Sequence, residues 1–79
     1  MRIEQDGFII DSAGGLASSL NEWIETKGLK NLIAALVEGP NGAKSYCLFD
    51  EESGRPVYAN TSMEAVACHI DMMALAEQD

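Results

Sequence analysis

The chain has 79 residues, 13 of them acidic and 5 basic, and a formal net charge of −8. A hydrophobic fraction of 47% marks a folding sequence rather than a disordered one. The length implies one domain, residues 1–79, near the size where a hydrophobic core alone is only marginally sufficient. Nucleic acid and anionic membranes are disfavoured as direct partners, because both are bound through cationic surfaces.

The opening Met1-Arg2-Ile3-Glu4-Gln5-Asp6-Gly7 has acidic residues where a signal peptide needs a basic end and a long apolar middle. No apolar run approaches the roughly 18 residues of a membrane span. A cytoplasmic location is therefore expected, and with it free thiols at Cys47 and Cys68. Asp6-Gly7 is a preferred pair for a tight turn with positive φ, so a short hairpin is expected around it. Phe8-Ile9-Ile10 then forms an edge strand or an anchoring arm.

Asp11 or Ser12 is the expected cap of a first helix, since either side chain can accept from the free N–H groups of a first turn. Leu16, Leu20, Trp23 and Ile24 recur at helical spacing, with Ala13 and Ala17 beside them, and Gly28 is a natural stop. Trp23 reads most simply as a core anchor of this helix; exposed, it would be the best hot-spot candidate in the chain. Gly14-Gly15 lacks the surrounding pattern of a phosphate-binding loop.

The centre of the chain alternates apolar runs with turn residues. Leu29–Val37 also fits a helical period, but Asn41-Gly42 and Ser53-Gly54 set off Lys44–Phe49 and Pro56–Ala59 as hairpin partners, so it is read as a strand. Ser45, Cys47 and Phe49 point one way and Tyr46 and Leu48 the other, so both faces of this meander carry apolar groups. One face must meet the helices; the N-terminal arm, a second copy or a partner remain for the other. Thr61-Ser62-Met63-Glu64 reads as a capping box with Thr61 as cap. Behind it a helix turns Val66, Ile70, Met73 and Ala74 inward, with an apolar arc wider than a surface helix needs. The fold expected is α+β: a three-stranded antiparallel meander flanked by two helices in the order β-α-β-β-β-α, helices on one face.

No catalytic motif, metal-ligand pattern or cofactor fingerprint is present, and the chain is not read as an enzyme. His69 is the only histidine, and a Cys47–His69 pair would have to form across the helix–sheet interface. Asp50-Glu51-Glu52 is the densest acidic cluster. It reads as a solvated turn or as an electronegative patch for Lys and Arg of a protein partner, which Glu22, Glu25 and Glu38 would extend.

Size, charge and architecture together resemble the small inhibitors encoded by phages and mobile elements, anti-CRISPR proteins in particular. The cadence is that of Ser45-Tyr46-Cys47-Leu48-Phe49-Asp50, Gly54-Arg55-Pro56-Val57-Tyr58 and Ser62-Met63-Glu64-Ala65-Val66. That resemblance implies binding to a CRISPR surveillance complex or its nuclease in the host cytoplasm, with carboxylates standing in for phosphates. The alternative is a structural or assembly protein that forms a homodimer through the Met63–Ala76 helix.

Overall fold

A computed structural model describes residues 2–77. Five strands and two helices follow in the order β1 (Arg2–Gln5), β2 (Phe8–Asp11), α1 (Ala17–Thr26), β3 (Leu32–Glu38), β4 (Lys44–Asp50), β5 (Pro56–Asn60) and α2 (Met63–Ala76). All five strands join one antiparallel sheet in chain order, β1-β2-β3-β4-β5. The α+β class and the β3–β5 meander are as the sequence implied. The three-strand count and the β-α-β-β-β-α order are corrected: the N-terminal segment is a hairpin paired to β3, so the sheet has five strands.

That hairpin turns at Asp6-Gly7, whose φ values of 52° and 83° are both in the left-handed region that a tight two-residue turn requires. The arm therefore extends the sheet sideways in its own plane. It does not fold over the meander, which removes it as a cover for the second face.

Helix α1 begins later than expected. Its cap position is Leu16, which has no side-chain capping bond, and Asp11 instead accepts from the Ala13 N–H within the preceding turn. Four residues separate the expected caps from the helix, and they are spent in reversing the chain. Gly15, at φ 55°, is part of that turn; a Cβ there would meet the Tyr46 hydroxyl at 2.7 Å, and the same hydroxyl accepts from the Leu16 N–H. The other end behaves as read. Gly28 N–H reaches the Glu25 carbonyl and Leu29 N–H reaches Ile24, a Schellman closure that uses the positive φ of Gly28.

Helix α2 is capped one residue later than expected: Ser62, not Thr61, accepts from the Ala65 N–H. Both helices pack on the same side of the sheet, α1 on β3 and α2 on β4 and β5. Leu20 and Ile24 of α1, Ala34 and Leu48 of the sheet, and Val66, Ile70 and Ala74 of α2 make the core between them. At the β2 end of this layer Asn21 performs a backbone's task. Strand β2 stops at the Asp11–Leu36 pair, and two residues along β3 the Ala34 N–H and C=O are taken by the Asn21 side chain at 2.8 and 2.9 Å. The same Asn21 amide also donates to the Ser12 carbonyl.

Candidate interaction surfaces

The six carboxylates singled out from the sequence do not form one patch. Asp50, Glu51 and Glu52 occupy the β4–β5 turn, at the end of the sheet where β3 begins, since Leu32 pairs with Asp50. Glu38 pairs with Lys44 at the far end of β3, six residues or roughly 20 Å away, and its carboxylate lies 3.8 Å from the Lys44 ammonium. Asp50 is structural: its Oδ1 accepts from the Glu52 N–H and its Oδ2 from the Ser53 hydroxyl, which orders the turn. The Glu51 N–H is tied to the Asn31 carbonyl, so this turn is held against the segment that leaves α1.

Glu51, Glu52, Glu22 and Glu25 remain exposed, and among the described residues none of them forms an ion pair. Glu22 and Glu25 lie in the C-terminal half of α1, whose last turn has no basic residue. Glu25 is in that last turn, where the helix dipole disfavours a carboxylate by a few tenths of a kcal/mol. Because α1 runs down to the same end of the sheet as the β4–β5 turn, Glu25 and Glu51 share that end of the molecule.

Trp23 is 38% exposed and bridges the helices instead of anchoring the core. Its indole N–H donates to Asp71 at 2.8 Å, and the Lys27 ammonium lies 4.7 Å from the ring centroid and 3.5 Å from the same carboxylate. Sequence spacing placed Trp23 on the apolar stripe correctly. The missing information was that α2 offers an aspartate beside it.

His69 and Cys47 lie on opposite sides of the sheet. His69 stacks on Tyr58 with ring centroids 4.1 Å apart, on the helix side. Cys47, one residue out of phase with the core residue Leu48, points to the other face, where burial pushes its thiol up from the ordinary value. The cysteine–histidine pair weighed from the sequence is therefore not assembled. Both cysteines are free thiols, and the described residues contain no group of three or more metal-ligating side chains. No helix of the described residues is long and apolar enough to cross a membrane.

The face away from the helices carries the surface that sequence reasoning left open. A hollow of about 300 Å³ lies there, floored by Ile10, Ile33, Ala35 and Phe49 and edged by Asp50 and Glu51. Helix α2 adds a separate apolar exposure at Met72 and Leu75, which are 65% and 69% exposed. No family model matches this chain, and neither a curated protein nor a solved structure does.

Proposed function

We propose that the chain is a small acidic protein-binding module that engages a basic, nucleic-acid-handling surface and inhibits it, in the manner of an anti-CRISPR protein. One observation carries this reading: Glu22, Glu25, Glu51 and Glu52 stand exposed without ion pairs among the described residues, Glu25 against the helix dipole. Charges retained at a cost to the fold are available to a partner. A channel that holds nucleic acid is lined by Lys and Arg, and carboxylates on a rigid frame are drawn to it over a Debye length and paired in it at close range. Asp50 supports the site by ordering the turn, and Glu38 stands apart from it.

The test is association with a purified CRISPR surveillance complex, followed at two ionic strengths. Binding is expected to weaken steeply with salt, and Glu51→Lys with Glu52→Lys to slow association by about tenfold or more while Glu38→Lys changes little. Binding indifferent to both salt and charge reversal would refute the acidic mechanism. Failure to bind would refute this choice of target.

A further inference from the structure

The described residues leave one whole face of the sheet without a covering layer. Strand register divides the side chains cleanly: Arg2, Glu4, Asp11, Glu38, Lys44 and Asp50 all fall on the helix side. By register no charged strand residue points to the open side, and Asp50, at the end of β4, reaches only the rim of the hollow there. The β1–β2 hairpin repeats the division, with Ile3, Phe8 and Ile10 toward the open side, Ile3 and Phe8 being 40% and 44% exposed. Burial is what specifies strand register, yet among the described residues no helix or strand lies over the side to which this hairpin commits its apolar groups.

The open face also has relief. Ala35, Cys47 and Ala59 are paired across β3, β4 and β5 as a row of small side chains. Ile33 and Phe49 form a bulky row on one side of it, and Ile10 and Val37 form another on the other side. Neighbouring rows on one face are two residues, or roughly 7 Å, apart.

We propose that this face is the seam of a homodimer, in which two copies stack sheet on sheet and the Ile33–Phe49 row of each seats in the Ala35–Cys47 row of the other. A two-fold axis lying between the sheets, half a row-spacing from the small row, produces that arrangement. The contact is isologous, with Ile33 over the second copy's Ala35 and Phe49 over its Cys47.

Three features select a second copy over another occupant. The floor of this face, Ile10, Ile33, Ala35 and Phe49, is apolar, and its carboxylates, Asp50 and Glu51, stand only at the rim. A basic partner would find nothing to pair with across the floor, whereas two chains of charge −8 can stack floor to floor with those carboxylates left at the edge. The strand dimensions give a footprint of roughly 400 to 500 Å² per copy, so the pair approaches the ~1,000 Å² of the smallest specific interfaces. Finally, a domain of 79 residues with two free thiols has little room to enlarge its own core, and association is a common remedy at this size. The inference does not depend on the carboxylate reading, because the seam is built from Ile33, Ala35, Cys47 and Phe49, and Glu51 stands only at its rim.

The experiment is sedimentation of the full chain over a dilution series, with far-UV circular dichroism as the check on folding. The wild type is expected to move from twice the chain mass to the chain mass on dilution. Phe49→Lys should be monomeric throughout, and Ala59→Asp, at an exposed site that leaves the core untouched, should raise the dissociation midpoint by at least about tenfold. Met72→Lys with Leu75→Lys on α2 should leave the dimer intact. A wild type monomeric at every concentration, or a dimer that survives both sheet variants, would overturn the proposal. So would dissociation caused by the α2 pair alone. In a mixture of isotope-labelled and unlabelled chains, a cross-copy nuclear Overhauser contact is expected between the Ile33 and Ala35 methyls. Contacts from Met72 or Leu75 in its place would transfer the seam to the helix.

Discussion

The two faces of the sheet are both apolar, but only one is finished within the chain. On the helix side Ala34 and Leu48 are sealed beneath Leu20, Val66 and Ile70. On the other side Ala35 and Cys47 are only 2% and 5% exposed, although no element of the described residues lies over them. Their shielding comes from sideways neighbours, Ile33 and Phe49 among them, which stand taller and stay half-exposed themselves. Low exposure thus has two origins: a covering layer, or small residues between larger ones. The first represents apolar burial already gained in folding. The second leaves the tops of the bulky residues wet, and a further association can still gain from them.

The largest expected effect separates these cases at adjacent residues. Leu48→Ala removes a fully buried side chain and leaves a cavity under two helices, at a cost of about 2 to 5 kcal/mol. That is a large share of what a domain this small possesses. Phe49→Ala, one residue on and on the other face, should cost less than the ~3 kcal/mol lower bound of an interior phenylalanine, because part of its ring is already in water. Urea unfolding measures both. The penalty at Leu48 should not vary with protein concentration, while that at Phe49 should grow with concentration if the open face associates. Equal, concentration-independent penalties would erase the distinction between the faces.

Alternation along Lys44–Phe49 made both faces legible in the sequence, and so did the turn signals that turned Leu32–Glu38 into a strand despite its helical period. Strand β1 was harder to see, since Arg2-Ile3-Glu4-Gln5 has a single apolar residue and becomes a strand only because β2 pairs with it. The start of α1 differs from the sequence expectation for a local reason. Asp11 satisfies a backbone N–H as a capping residue would, but in a turn that precedes the helix. The separation of Glu38 from Asp50–Glu52 was not readable at all, because it depends on which ends of β3 and β4 coincide. Asn21 lies off the apolar stripe of α1, and its role shows only once β3 is placed beside it. Its signal was its type and place: asparagine is a weak former in a helix interior, and here it adjoins the inward Leu20.

A second, intermediate effect probes the boundary where the helix layer joins the sheet. Asn21→Ala leaves the Ala34 N–H and C=O without the partners that replace a β2 residue, and part-buried backbone groups left so cost about 1 to 3 kcal/mol. The gain in helix propensity returns a few tenths of that. Asn21→Asp should be no better, since a carboxylate cannot donate to the Ser12 and Ala34 carbonyls. Amide hydrogen exchange gives a site-specific reading: the Ala34 N–H should lose protection in Asn21→Ala while the Leu48 N–H, inside the β3–β4–β5 ladder, retains most of its own. Unchanged exchange at Ala34 would mean that water replaces the side chain without loss.

The smallest effect tests how the helix side is closed at its C-terminal element. Ser62 accepts from the Ala65 N–H across 3.3 Å, and its own N–H is held by the Asn60 carbonyl oxygen of the side chain at 2.9 Å. Asn60 and Ser62 together bend the chain out of β5 and into α2, which carries Val66 and Ile70 down onto Leu48. Ser62→Ala should therefore cost about 1 kcal/mol, whereas Thr61→Ala, at the position the capping-box pattern favoured, should fall within roughly 0.5 kcal/mol of neutral. Both sites are exposed and lie beyond the end of β5, outside the paired rows of the open face, so neither substitution should shift the association equilibrium. A larger loss at Thr61 than at Ser62 would return the cap to the residue the sequence pattern selects. A change in association with either would show that the two faces are coupled through the β5–α2 junction, and that the open side is not independent of the layer that closes the other.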